Sequence, residues 1–161
     1  MSHFSSVKTI LRDRTSLKAG LEAILQKINP DAIVEEYEVP TLLINDYDRN
    51  DEKYAHLVIR RSDLNTDNRR ALIDVGFLQN EDGIFQLQAD AWDINRNSIG
   101  DHFGNLDTFL AEVQLQSEME FVKQQFPFHL WDYETAETLE DGTIRMVIHQ
   151  KQAVTTSTPS W

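Results

Sequence analysis

The 161-residue chain contains no cysteine. That excludes disulfides, thiolate metal sites and cysteine nucleophiles, and it fits a reducing compartment. Glycine is scarce, with six residues, and none opens a phosphate-binding loop. No run of about 18 apolar residues occurs, so nothing reads as a membrane span. The opening Met1 to Ser6 has no apolar stretch behind it of the kind a secretory signal needs. Basic charge is short: 15 Lys and Arg stand against 27 Asp and Glu, a formal net charge of −12. A field of that sign repels phosphate backbones, so nucleic acid is not an expected partner.

What remains is enough for a core. A chain of this size buries roughly 70% of the surface its unfolded form exposes. Leu17, Leu21, Ile24, Leu25 and Ile28 recur at helical spacing after Ser16, and Pro30 closes the pattern at Asn29. Ser16 is the expected cap, and Gly20 is expected to let this helix pack closely against a sheet. Residues 32–45 read as extended, with Pro40 marking an edge or a break. Residues 45–53 form an acidic loop. Residues 55–60 read as a strand with Leu57 and Ile59 on one side and His56, Val58 and Arg60 on the other.

Two hairpins follow from turn chemistry. Glu81-Asp82-Gly83 joins strands near 76–78 and 84–91, and Glu140-Asp141-Gly142 joins strands near 129–135 and 143–150. Between them a helix spans about 105–125, with a phase slip in its apolar stripe near Gln116. The expected class is α+β: a mainly antiparallel sheet built from hairpins, both ribbons in it, with two helices packed on one face. Residues 1–151 read as one domain. Residues 152–161 read as a mobile tail with little to bury except Trp161.

Catalytic patterns are missing. His3, His56, His102, His129 and His149 never fall at i, i+2 or i, i+4, so no metal site and no cofactor is expected. Asp101-His102 reads as a helix cap beside a surface imidazole. His129 and His149 lie on facing strands, a weak metal alternative. The acidic pairs fall in turns and strand edges, where carboxylates stay solvated and inert. Arg60-Arg61 ends a strand in an acidic chain, either ion-paired to the 45–53 loop or offered to a partner's carboxylate. Phe126, Phe128, Trp131 and Tyr133 form either core or an interface patch.

Four segments resemble one family in order along the chain. They are the opening Met1-Ser2-His3-Phe4-Ser5 with Lys8-Thr9, then Leu57-Val58-Ile59-Arg60-Arg61, then Ile73-Asp74-Val75-Gly76-Phe77, and finally Asp141 to Ile148. They are similar to the hypothetical chloroplast reading frame thirty-five family of algal plastids and cyanobacteria, a domain of unknown function. The family's tyrosine–alanine–tyrosine run is missing from the second helix, where Val113-Gln114-Leu115-Gln116 stands. The resemblance implies the cyanobacterial cytoplasm or plastid stroma and no activity. Through gene neighbourhood, it also implies work beside a ring-forming ATPase.

The first expectation is therefore a non-catalytic protein-binding accessory or adaptor domain. Its contacts would be Arg60, Arg61, Trp131 and Trp161. The alternative is a small-molecule- or metal-binding domain, enzymatic or not, built on Arg61, His56, His129 and Asp74.

Overall fold

The computed structural model describes residues 3–127, 130–140 and 144–151. The chain divides into two compact units, Met1–Glu120 and Phe121–Trp161, where the sequence reads as one domain to residue 151. The expected tail, 152–161, lies outside the described residues.

The first unit is built on a five-stranded antiparallel sheet in the order β1-β5-β4-β3-β2. Its strands are β1 (Ser5–Lys8), β2 (Val34–Leu43), β3 (Lys53–Ile59), β4 (Val75–Gln79) and β5 (Phe85–Ala89). β2 lies at one edge, and its pairing with β3 slips between Glu36 and Thr41. Pro40 falls inside that slip, as a residue with no N–H to donate must. The β4–β5 hairpin pairs Phe77 with Leu87. Gly83 turns it at φ +84°, a conformation that favours glycine.

Helix α1 (Arg14–Ile28) forms where the spacing predicts, but Asp13 caps it rather than Ser16. The Asp13 carboxylate accepts the Ser16 N–H at 3.0 Å, and the Ser16 hydroxyl donates to the same oxygen. One carboxylate oxygen, with two lone pairs, takes both donors at once. Gly20 faces another helix, not a sheet. A Cβ there would lie 2.9 Å from the Ser117 backbone nitrogen on α4 (Leu106–Gln125). That helix is continuous through Gln116, and its buried positions end at Ser117.

Two short helices, α2 (Ala91–Arg96) and α3 (Ser98–Phe103), occupy a stretch that the alternation had assigned to strand as far as Ala91. Asp90 stops β5 by capping α2, accepting the Asp93 N–H at 2.7 Å. Leu17, Leu21 and Ile24 from α1 join Phe109 and Val113 from α4 over Leu57, Ile59, Phe77, Phe85 and Leu87. Val58 points away from Leu57 and Ile59 and joins a second cluster with Phe4, Leu43, Ala55 and Ile73. β3 is thus buried on both sides, which the polar–apolar alternation of its sequence understates.

The second unit holds β6 (Trp131–Thr138) and β7 (Ile144–Gln150), an antiparallel pair that forms a sheet of its own. The expectation that both hairpins share one sheet is corrected here. The β5 edge of the first sheet is taken by β1, which pairs along it from Ser5 to Lys8. The sequence reading assigns no element to Ser5–Lys8.

Candidate functional site

Asp74 organises one end of the first unit. It is fully buried (0% exposed) just before β4. Its carboxylate accepts the Ile44 N–H and the Arg61 N–H, each at 2.8 Å, and an Arg60 guanidinium N–H at 2.9 Å. A second ion pair runs from Arg61 at 3.5 Å. A buried carboxylate is tolerated only when its charge and lone pairs are answered, and here backbone and guanidinium groups share that task.

Arg60 also donates to Glu35 at 3.1 Å. Burial pushes the Glu35 carboxyl up, but hydrogen bonds from Arg60 and Tyr37 and the Arg60 charge outweigh it and hold it below the usual value of 4.5. Burial likewise opposes the Arg60 charge, and hydrogen bonding to Glu35, Tyr37 and Asp74 overcomes it, so the guanidinium is more firmly protonated than usual. Arg61 donates to Asp46 at 2.5 Å, which realises the expected ion pair with the acidic loop.

Three segments meet beside this network. The Asp46 N–H donates to the Leu72 carbonyl, and Asp74 N–H to the Ile44 carbonyl, each at 2.9 Å. The Asp93 carboxylate of α2 accepts the Ile73 N–H at 3.1 Å and Leu72 N–H at 3.3 Å. Burial raises the Asp93 pKa above 3.8; those two backbone donors lower it and nearby Asp90 raises it again. The acidic loop, residues 72–74 and α2 are therefore fixed to one another by carboxylates.

That framework displays an aromatic face. Tyr47 and Trp92 meet edge to face, with centroids 5.0 Å apart and an interplanar angle of 79°. The Arg96 guanidinium carbon lies 4.2 Å from the Trp92 ring centroid, a cation–π contact. Tyr47 and Trp92 remain 45% and 43% exposed. Arg49 extends the edge through its 2.6 Å bond to Asp46. None of Tyr47, Trp92 or Arg96 stood out in the sequence. Their signal was the Asp90-to-Asp93 cap spacing, which starts a helix and sets Trp92 and Arg96 at i, i+4.

The remaining candidates lie elsewhere. Arg60, Arg61 and Asp74 come together as described, and both guanidinium groups are engaged with the protein's own carboxylates. His56 is buried on β3, and its Nδ1 accepts the Gln79 N–H at 3.0 Å. Burial first, and then the Arg14 charge, lower its pKa below 6.5, so it is a neutral structural imidazole. Trp131 sits on β6 in the second unit, edge to face with Phe126 at 4.9 Å. His149, on β7, pairs with Glu134 at 2.5 Å. His129, Phe128 and Trp161 fall outside the described residues. Asp101 lies in the first turn of α3, but Asn97 provides its cap.

Among the described residues no group of three or more His, Asp or Glu could hold a metal ion, and no helix is long and apolar enough to cross a membrane. No family model, no curated protein and no solved structure matches this chain.

Proposed function

We propose that the chain is a non-catalytic accessory domain that docks onto another protein through the face of Tyr47, Trp92 and Arg96. The single observation behind this reading is the half-exposed Tyr47–Trp92–Arg96 stack on a base pinned by Asp46, Asp74 and Asp93. Trp, Tyr and Arg dominate the residues that contribute most at protein interfaces. Their rotamers here are already restrained by each other, so little side-chain entropy is lost on docking. Arg60 and Arg61 then act as supports of the face. The family resemblance extends the proposal: the partner is a ring-forming ATPase of the cyanobacterial cytoplasm or plastid stroma.

The test places a photo-cross-linking amino acid at Tyr47 or, as a control, at exposed Glu38 on β2, within cyanobacterial cells. The expected result is one adduct from position 47 that contains a ring-ATPase subunit and disappears in a Trp92→Ala background. Equal labelling from position 38, or an adduct indifferent to Trp92→Ala, would sink the docking face. A Trp92-dependent adduct with another protein would keep the face and remove the ATPase.

A further inference from the structure

A cleft of about 280 Å³ opens between the end of α1, the 65–67 loop and α3. Lys27, Asp67, Asp101 and His102 carry its charges or titratable groups. Elsewhere in the first unit, several charged side chains are ion-paired: Lys18 with Glu22 and Glu36, Arg49 and Arg61 with Asp46, Arg60 with Glu35 and Asp74. Around the cleft, among the described residues, Lys27, Asp67 and Asp101 form no ion pair or side-chain hydrogen bond. The His102 ring meets Phe103 edge to face, with centroids 4.7 Å apart. Opposite charges thus share a cleft without neutralising one another.

Two further features mark the cleft as ready for an occupant. Ser98 lines it, and among the described residues its hydroxyl finds no hydrogen-bond partner; neither does the neighbouring buried Asn97 amide nitrogen. An unanswered buried polar group costs free energy until something meets it. The loop wall is also set before any ligand arrives. Thr66 Oγ1 accepts the Arg69 N–H and Asn65 Oδ1 the Ala71 N–H, each at 2.9 Å.

We propose that this cleft binds a small zwitterion of the α-amino-acid class. Its ammonium group would meet Asp67 and Asp101, and its carboxylate would meet Lys27 and the His102 imidazole. Ile28 supplies the apolar part of the wall and favours a short aliphatic side chain. The volume lies just below the range of about 300–1,000 Å³ typical for larger ligands, which limits the occupant to this size. A metal ion is a poor match, since among the described residues no three ligating side chains converge. A simple anion or cation would leave one pair of charges unanswered.

The test is an NMR titration of the full ¹⁵N-labelled chain with single L-amino acids, and with acetate and methylamine as the two separated charges. Expected are saturable shifts at the Thr66, Asp67, Ser98 and His102 amides with at least one aliphatic amino acid, and none with acetate or methylamine at equal concentration. Lys27→Met and Asp101→Asn should each weaken that binding about tenfold, roughly 1.4 kcal/mol, without moving the thermal melt. No saturable shift with any amino acid at millimolar concentration would overturn the proposal. So would equal shifts with acetate or methylamine, or binding that survives both substitutions.

Discussion

The two charged regions of the first unit differ in what their charges answer to. Around Asp74, two arginines, three carboxylates and two backbone N–H groups are mutually engaged. Around the α1–α3 cleft, Lys27, Asp67 and Asp101 are engaged with nothing described. The first arrangement is structural: removing Asp74, the member both arginines share, takes the buried acceptor from two guanidinium and two backbone N–H groups. The second contributes little to folding, because solvated single charges are nearly neutral in stability. A protein that pairs its charges so completely in one place and leaves them open in another separates scaffold from binding surface.

The sharpest way to break this contrast is Asp74→Ala. It leaves the Arg60 and Arg61 charges and the Ile44 and Arg61 N–H groups without their buried acceptor. A loss of about 3–5 kcal/mol is expected, by analogy with broken buried pairs, read as a lower urea midpoint. A change within experimental error would show that the network is better solvated than its geometry implies. Gly20→Ala comes next. Its new Cβ would meet the Ser117 backbone nitrogen at 2.9 Å and hydroxyl oxygen at 2.8 Å. Backbone cannot rotate away as a side-chain tip can, so the helices must separate, at a cost of about 1–3 kcal/mol. The gain in helix propensity, about 1 kcal/mol, offsets only part of it.

Acid should separate the regions as well. The neutral His56 has its pKa lowered by burial, so the fold's preference for it is complete above 6.5 and is lost as pH falls through the lowered value. Glu35 is also lowered, so its contribution is present above 4.5 and is lost on further acidification. Asp93 and Glu118 are raised by burial and act in the opposite sense, since protonation relieves the cost of burying their charge. The urea midpoint should therefore start to fall below pH 6.5, and His56→Gln should flatten that first part of the fall. An unaltered pH profile in His56→Gln would remove His56 as its cause.

The fold was legible where one force decided the local structure. Leu17 to Ile28 announced α1 by spacing alone, and Asp82-Gly83 announced the β4–β5 turn. Legibility failed where tertiary pairing decided. Ser5–Lys8 carries only Val7 as an apolar residue, and it becomes a strand because β5 has a free edge to offer. α2 and α3, of six residues each, are too short to show a helical period, and their caps were their only signal. The doubled arginine was recognisable as a site, and so was its ion-paired alternative. Asp74 stood beside Arg61 in the small-molecule alternative, but its place as the hub of both arginines follows from the Asn45–Ile73 bridge, which no local pattern encodes. Trp92 was visible as a residue but not as a surface, since its neighbour Tyr47 comes from a separate loop.

The smallest expected effect concerns the open region. Lys27 lies in the last turn of α1, where a cation favours the helix dipole by about 0.3–1 kcal/mol at most. Lys27→Met keeps the aliphatic stem and removes only the charge, so the unfolding free energy from urea denaturation should stay within about 0.5 kcal/mol of the parent. A combined Lys27→Met, Asp101→Asn protein should be equally close, because among the described residues the two groups form no ion pair or side-chain hydrogen bond with each other or with a third side chain to couple through. A loss as large as that of Asp74→Ala would mean these charges hold the fold together, and the division between scaffold and binding surface would disappear.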